Sequence, residues 1–373
     1  MFANGQTIVQ LMEQLAPKHY AVENDKIGLQ LGTLQKEIKK ILVALDVTDE
    51  VVDEAIKIGA ELIIAHHAII YRPLAKVDTS TIAGKLYEKL IKNDIAVYIA
   101  HTNLDVAEDG INDWMADMVG IANDGRTCLE EVHTDKLYKL VVFVPQSHHE
   151  QVLAAIWNAG AGGIGNYRSC SFNIEGTGTF LPGEGTHPFI GEKGRLERVQ
   201  EIRVETIVPY SAHRKVVQAM LKVHPYEEVA YDLYPMDLKG RSFGLGRAGK
   251  LTAPIKLGGL IDRVKEVFDV SMVRFVGDSE REIRKVAVLG GAGSKYIRHA
   301  MFAGADVLIT GDIDYHTAQD ALAAGLAIID PGHNIEKIMK PRVAEWLNSR
   351  LLERKSTTTA VASTVNTEPF QFI

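Results

Sequence analysis

Glu37-Ile38-Lys39-Lys40-Ile41-Leu42-Val43 lines up with Glu282-Ile283-Arg284-Lys285-Val286-Ala287-Val288. The register continues without a gap to Gly59-Ala60-Glu61-Leu62-Ile63-Ile64 against Gly304-Ala305-Asp306-Val307-Leu308-Ile309. Each copy reads as strand, helix, glycine turn and strand, so the repeat predicts two related α/β units. In the first copy Val51, Val52, Ala55 and Ile56 recur at helical spacing, with Thr48 as N-cap ahead of Asp49 and Glu50. Gly59 and Gly304 stand where a helix C-cap is expected. A further register sets Ala96-Val97-Tyr98-Ile99 against Ala327-Ile328-Ile329-Asp330, and with it Asn103 against Asn334 and Asp105 against Glu336. Two carboxylates thus hold equivalent places, and a site built between pseudo-symmetric halves brings them together.

A second duplication lies inside the first. Val142-Phe143-Val144-Pro145-Gln146-Ser147 resembles Thr206-Ile207-Val208-Pro209-Tyr210-Ser211, and Val152 and Ile156 correspond to Val216 and Met220. The segment reads as strand 137–144, helix 147–159, strands 168–180 and 201–208, helix 211–223 and strand 227–234. That order is the split βαβ, ferredoxin-like α+β arrangement. The expected division is therefore 1–126 and 241–373 as the halves of one α/β core, with 127–240 inserted between them. The tail from Ser356 to Phe370-Gln371-Phe372-Ile373 is either a loose arm or an extended strand docking its two phenylalanines.

Composition narrows the function. A chain of 373 residues with 46% hydrophobic and 24% charged residues fits a soluble protein of two or three domains. The net charge of −7 gives no global signal for nucleic acid. Cys128 and Cys170 form no CxxC pair, which argues against a disulfide scaffold or a thiolate metal site and fits a reducing cytoplasm. No run approaches the roughly 20 apolar residues of a membrane span.

The chemistry gathers at predicted strand ends. Ile63-Ile64-Ala65 runs into His66-His67, Ala100 into His101-Thr102-Asn103-Leu104-Asp105, and Ile328-Ile329 leads toward His333-Asn334-Ile335-Glu336. Neighbouring strand residues face opposite ways, but a strand-to-loop junction lets both rings of His66-His67 turn inward. His66, His67, Asp105, His333 and Glu336 form a donor set suited to Zn, Fe, Mn, Ni or Co. Five ligands exceed the roughly three or four of a mononuclear site, so two metals sharing carboxylates are expected. His101 is open as a ligand, a proton shuttle, a partner of a ligand, or a buried histidine bonded to backbone. Asn103 and Asn334 suit side-chain to backbone bonds in loops. Asp312, Asp314, Tyr315 and His316 line the opposite wall of the cavity or form a solvated loop.

Two glycine runs invite overreading. Gly160-Ala161-Gly162-Gly163-Ile164-Gly165 matches GxGxxG by letter but follows a helix, so it fails the context of a dinucleotide site. Gly290-Gly291-Ala292-Gly293-Ser294 does follow a strand, where Gly291 and Gly293 can approach a substrate phosphate. His224-Pro225-Tyr226-Glu227-Glu228 looks catalytic in composition but reads as a turn into a strand.

These motifs resemble the GTP cyclohydrolase 1 type 2 homolog family, also called Nif-three-like. Its landmarks stand here as Ile27-Gly28-Leu29-Gln30-Leu31-Gly32, Ala65-His66-His67 with Arg72-Pro73-Leu74, and His101-Thr102-Asn103-Leu104-Asp105. Later come Gly244-Leu245-Gly246-Arg247, Thr310-Gly311-Asp312 with Tyr315-His316, and Gly332-His333 with Glu336. The resemblance covers nearly the whole chain, and the insert is similar to the PII/CutA-like domain of longer bacterial members. It implies two divalent ions held by His66, His67, Asp105, His333 and Glu336, with zinc the first choice ahead of Fe, Mn or Ni. It also implies a toroidal homohexamer, and hydrolytic opening of the guanine ring of GTP with release of formate. On that reading His101 is a candidate proton carrier, and Asp312, His316, Gly291 and Gly293 face a small-molecule substrate such as a nucleotide. The alternative is a non-enzymatic ring-shaped regulator whose PII-like insert senses a small molecule or partner. One departure from the family is the absence of a tryptophan where Asn24-Asp25-Lys26 stands, a change expected to touch packing and not the ligands.

Overall fold

Strand residues alternate between faces, and in this chain both faces of the repeated strands are apolar. Ile41, Val43, Leu62 and Ile64 share one buried cluster with Val286, Val288, Val307 and Ile309. The intervening Leu42, Ile63 and Val97 pack instead on Val51, Val52 and Ala55 of the helix Asp49–Ile58 and on Leu90 of the helix Ile82–Lys92. Ala287, Leu308 and Ile328 likewise cover Ala300 and Ala321. Each repeated strand is therefore sandwiched between a shared core and its own helices.

The computed structural model describes residues 1–371 and shows a mixed α/β protein with several sheets. One five-stranded sheet orders Thr359–Ala362, Lys40–Ala44, Leu62–Ala65, Ala96–Ile99 and Gly28–Leu31. Its first four strands run parallel, and Gly28–Leu31 is antiparallel. The other five-stranded sheet orders Arg247–Lys256, Glu282–Ala292, Val307–Gly311, Ala327–Asp330 and Arg274–Val276, parallel at its centre and antiparallel at both edges. Positions matched in the sequence repeat pair alike, Ile41 with Leu62 and Val286 with Val307. Thr48 accepts from the Val51 amide, and Gly59 ends the helix with φ +70°.

The chain divides into two compact units, Met1–His133 with the residues from Phe243 onward, and Thr134–Ser242. In the second unit, four strands are ordered Tyr231–Leu245, Glu130–Pro145, Glu197–Pro209 and Phe172–Phe180, neighbours among the last three running antiparallel and the first two strands reaching past the unit's limits. Val152, Ile156, Val216 and Met220 of the helices His149–Asn158 and His213–Val223 cover Leu140, Val142, Val204 and Val208. These strands differ from the expected ranges. The last begins at Tyr231 and not at 227, because His224 ends the preceding helix and Tyr226 and Glu227 bond elsewhere in a turn. The first runs from Glu130, well before 137.

The tail docks, but through backbone. Thr359–Ala362 extends the first sheet beside Lys40–Ala44, and the Asn348 side chain brackets Ala360 by bonding both its N–H and its C=O at 2.8 Å. Thr358 Oγ1 accepts from Ala3 N and donates to Ile38 O. Of the two phenylalanines expected to dock, Phe370 does not, being 71% exposed, and Phe372 lies outside the described residues. No helix among the described residues is long and apolar enough to cross a membrane.

The end of this strand is held by Glu54, which accepts from Ser363 Oγ, Thr364 N and Thr364 Oγ1. Partial burial opposes its charge, yet these hydrogen bonds overcome that and lower its pKa. The anchoring is therefore present above the ordinary carboxylate range and is lost as pH falls through the lowered value. Glu54→Ala is expected to speed amide exchange in Thr359–Val365 by about tenfold at neutral pH. Mass-spectrometric exchange should show the strand Leu62–Ala65 unchanged.

Candidate metal centre

Backbone geometry aims the histidine pair. His66 N–H donates to Ala44 and Leu45 carbonyls and His67 N–H to Leu45, so the chain bends at the end of Leu62–Ala65 instead of alternating. His66 is fully buried. After Ala96–Ile99, the short helix Thr102–Val106 carries Asp105, 8% exposed, toward the same place. His333 and Glu336 lie on the 3-10 helix His333–Ile338, where residues three apart eclipse and so face one way. Gly332, with φ +87°, turns the chain into that helix.

The structure brings all five expected ligands together, and His101 with them. Three sets of donor atoms lie within 4.8 Å of one another: His66, His67 and His101; His67, His333 and Glu336; His66, Asp105 and Glu336. Glu336 Oε2 sits 3.2 Å from His67 Nε2, 3.3 Å from His333 Nε2 and 3.7 Å from His66 Nε2. His66 Nε2 is also 3.7 Å from Asp105 Oδ1. Each ring is held from behind through Nδ1: His66 by Ala100 O at 2.9 Å, His67 by Asp46 at 2.6 Å, His101 by Asp25 at 2.9 Å, and His333 by Asp312 at 2.7 Å. With Nδ1–H donated outward, the Nε2 lone pair is free to point inward, the arrangement that metal-binding histidines use.

The donor set fits a cation. His66 Nε2 and Asp105 Oδ1 are buried atoms without a hydrogen-bond partner, and such orphans cost about 1–3 kcal/mol each unless something satisfies them. The charges tell the same story. Burial disfavours the charged form of His67, but Asp46 and Glu336 overcome it and raise its pKa to about 10. Hydrogen bonding to Glu336 raises His333 to about 9. Burial raises Asp105 to about 6 despite His66, whereas Glu336, although buried, is pulled well below the usual range by His66 and its other imidazole neighbours. In this arrangement protons on imidazole occupy the positions a divalent ion would.

The other candidates divide. Asp312 orients His333 and lines a cavity of ≈ 760 Å³ with His67, Asp46 and the tail residue Thr367. Gly291 forms a wall: at φ +65°, a Cβ there would lie 2.9 Å from Glu336 Oε1 and 3.3 Å from His333 Nε2. Gly293 instead closes on Thr310, whose side chain a methyl would strike. His316 is exposed on the helix Tyr315–Ala323, with its ring edge against Tyr315, outside the cluster. Asn103 bonds Ala16 O, as a loop-fixing residue should. His101 bonds a carboxylate, and the backbone-bonded histidine is His66.

Sequence reasoning missed the acceptors. Asp25 takes His101 Nδ1, Thr102 N and Thr102 Oγ1, so the Asn24-Asp25-Lys26 stretch does reach the site, correcting the expectation that it touches packing alone. Asp46 holds His67 and accepts from Thr367 Oγ1 of the tail. Asn112, fully buried, donates to Asp105 O and accepts from Gly290 N, tying two walls together. Arg247 forks onto Asp113 at 2.6 and 3.0 Å and bonds Ala107 O, so the Gly244–Arg247 motif braces the loop after Asp105 and lies outside the donor cluster. No local pattern distinguishes these residues from other polar side chains.

Comparison with known proteins identifies the family and the fold. The sequence profile of the family described as Duf34/NIF3 (NGG1p interacting factor 3) matches residues 3–369. A protein of Halalkalibacterium halodurans named GTP cyclohydrolase 1 type 2 homolog is 55% identical, covering 100% of this chain and 99% of its own. One of the same name from Bacillus subtilis is 51% identical, covering 99% of each. The crystal structure of a Bacillus cereus protein related to NIF3 superposes with a TM-score of 0.91 at 51% identity over 100% of both chains.

Asn112→Ala is expected to lower stability by about 1–3 kcal/mol in urea unfolding, because it strands the buried Asp105 carbonyl and the half-buried Gly290 amide. Gly291→Ala should leave the fold cooperative yet weaken zinc binding by roughly 10–100-fold in a chelator competition, since the new methyl displaces Glu336 and His333.

Proposed function

The chain belongs to the Duf34/NIF3 family, and from that premise we propose a metal-dependent hydrolase holding two divalent ions on His66, His67, His101, Asp105, His333 and Glu336. The observation that carries this reading is the convergence of Nε2 atoms on two buried carboxylates, with His66 Nε2 and Asp105 Oδ1 left unpartnered. When bound, the ions would supply Lewis-acid activation for hydrolysis. The protein's own part is preorganisation. Ala100 O, Asp46, Asp25 and Asp312 fix each imidazole's tautomer at Nδ1, and burial of Glu336 and Asp105 keeps bulk water from competing. His101 shares a donor group with His66 and His67, so we place it among the ligands; the proton-carrier role would require its Nε2 to be free of metal. Zinc is our first choice, with Fe, Mn and Ni compatible with the same donors.

Relatives named GTP cyclohydrolase 1 type 2 homolog suggest the reaction: water opens the guanine imidazole ring of GTP and formate leaves. We read the two five-stranded sheets as pseudo-symmetric halves of one core, supported by their matching registers, and Thr134–Ser242 as a ferredoxin-like, PII/CutA-like insert, supported by its antiparallel sheet and two helices. A cytoplasmic, toroidal homohexamer belongs to the same reading, and sedimentation should give six chains per particle.

A second reading, the non-enzymatic regulator, is favoured by the cavity wall. Asp46, Asp312, Asp330 and Glu368 line it against Arg274, which already pairs with Asp330, and against His67 and His333, which Asp46 and Asp312 already hold. A triphosphate would meet net negative charge there and depend on bound metal for its attraction.

Protein loaded with Zn, Mn, Fe or Ni is expected to carry two ions per chain by elemental analysis and to release formate from GTP. Asp105→Ala and Glu336→Ala should lose metal and turnover together, by about a hundredfold or more in rate. Intact metal content without formate under any metal would remove the cyclohydrolase reading and leave the regulator.

A further inference from the structure

The Thr134–Ser242 unit contains a cavity of its own, ≈ 430 Å³, within the size range of small-molecule sites. Its wall is largely aromatic: Phe143, Phe180, Phe189 and Tyr226 line it, with Tyr226 6.0 Å from Phe180 and 6.4 Å from Phe189 between ring centroids. One buried charge faces into it. Glu201 is 8% exposed, and its Oε1 accepts from Tyr226 O–H at 2.8 Å. Its Oε2 takes part in none of the hydrogen bonds or ion pairs among the described residues and, unlike His66 Nε2 or Asp105 Oδ1, is not sealed from solvent, so it is open to the cavity. Gly178 on the adjacent strand leaves the room: a methyl there would collide with the Glu201 carboxylate.

The neighbouring imidazole, His224, has its pKa lowered by burial, with Nε2 on Phe143 O and Nδ1 accepting from Tyr226 N, so it is no fixed counter-charge for Glu201. No lysine or arginine lines the cavity, whereas Glu227 and Glu228 do. Arg203 lies over the Phe143 ring at 5.9 Å but is paired with Glu205 at 2.9 Å and is not part of the wall. Glu227 is already engaged, accepting the His187 amide at 2.9 and 3.1 Å and so holding the loop that carries Phe189. A carboxylate oxygen opening into an apolar pocket with no lysine or arginine beside it is a position that a cationic group on a ligand can fill. Aromatic faces attract cations and exclude water from them.

We propose that this cavity binds a protonated organic amine with an apolar or aromatic body, its ammonium donating to Glu201 Oε2 and its body packed among Phe143, Phe180, Phe189 and Tyr226. An anionic ligand meets three carboxylates and is rejected. A neutral one fills the aromatic wall but leaves Glu201 unpaired. The site is independent of the metal cluster and of the cyclohydrolase reading, and it gives the regulator reading a ligand class for the Thr134–Ser242 unit.

The test uses the full-length protein titrated with 2-phenylethylammonium and, separately, with 2-phenylethanol, which matches its body without the charge. Calorimetry is expected to show the amine binding at least about tenfold more tightly than the alcohol. Glu201→Gln should remove that preference while leaving zinc content unchanged. Phe189→Ala, at a half-exposed position that folding does not require, should weaken both ligands and so serves if Glu201→Gln fails to fold. Equal binding of amine and alcohol overturns the proposal. So does amine binding that survives Glu201→Gln, or no amine binding at millimolar concentration.

Discussion

Glu336 is the constraint on which the core depends. Its carboxylate is 3% exposed and is surrounded by the Nε2 atoms of His66, His67 and His333. A buried charge is tolerated only where opposite charge or strong donors meet it, and here two of the three come from a strand end 269 or more residues earlier. The requirement couples the two five-stranded sheets. Ile41, Val43 and Ile64 must share a core with Val286, Val288 and Ile309 for the imidazoles and the carboxylate to meet. Asn112 and Arg247 then lock the junction, one by bridging Asp105 O and Gly290 N, the other by gripping Asp113 and the Ala107 carbonyl.

Around that carboxylate the protein spends polar groups in a consistent way. Each ring has an oxygen behind Nδ1, so tautomer and direction are settled before any ligand arrives, which is what makes a cluster of histidines a donor set and not a set of surface bases. The acceptors come from four places: a backbone carbonyl at Ala100, and carboxylates at Asp25, Asp46 and Asp312. Gly290 and Gly291 belong to the same logic from the opposite side, because any side chain at either position would enter the space of Glu336. The C-terminal tail takes part as well, since Thr367 bonds the Asp46 that steadies His67.

The chain also carries a second chemistry. The cavity beside His67 and His333 is lined by imidazole and several carboxylates, whereas the one in Thr134–Ser242 sets a single buried carboxylate among aromatic rings. Metal-type donors line the first and aromatic faces the second, and this difference in lining underlies the two different ligand classes proposed for them.

The histidine-carboxylate set was legible in the sequence because each member sits at the end of an apolar run, and because the repeat placed Asp105 and Glu336 in equivalent positions. Periodicity and repetition are local properties, and they survive in one dimension. Strands and helices of the Thr134–Ser242 unit were legible for the same reason, although its last strand starts late because the turn through Tyr226 and Glu227 is held by bonds to Glu201 and His187. Asp25 and Asp46 were not legible. Among 48 acidic residues nothing in their neighbours marks them, and their partners lie 76 and 21 residues away. Nor could one dimension separate Gly291, which walls the cluster, from Gly293, which packs on Thr310. The sequence by itself thus determined which residue types repeat and where strands end. Only the tertiary structure decided which oxygen stands behind each imidazole, because a hydrogen bond depends on distance through space and not along the chain.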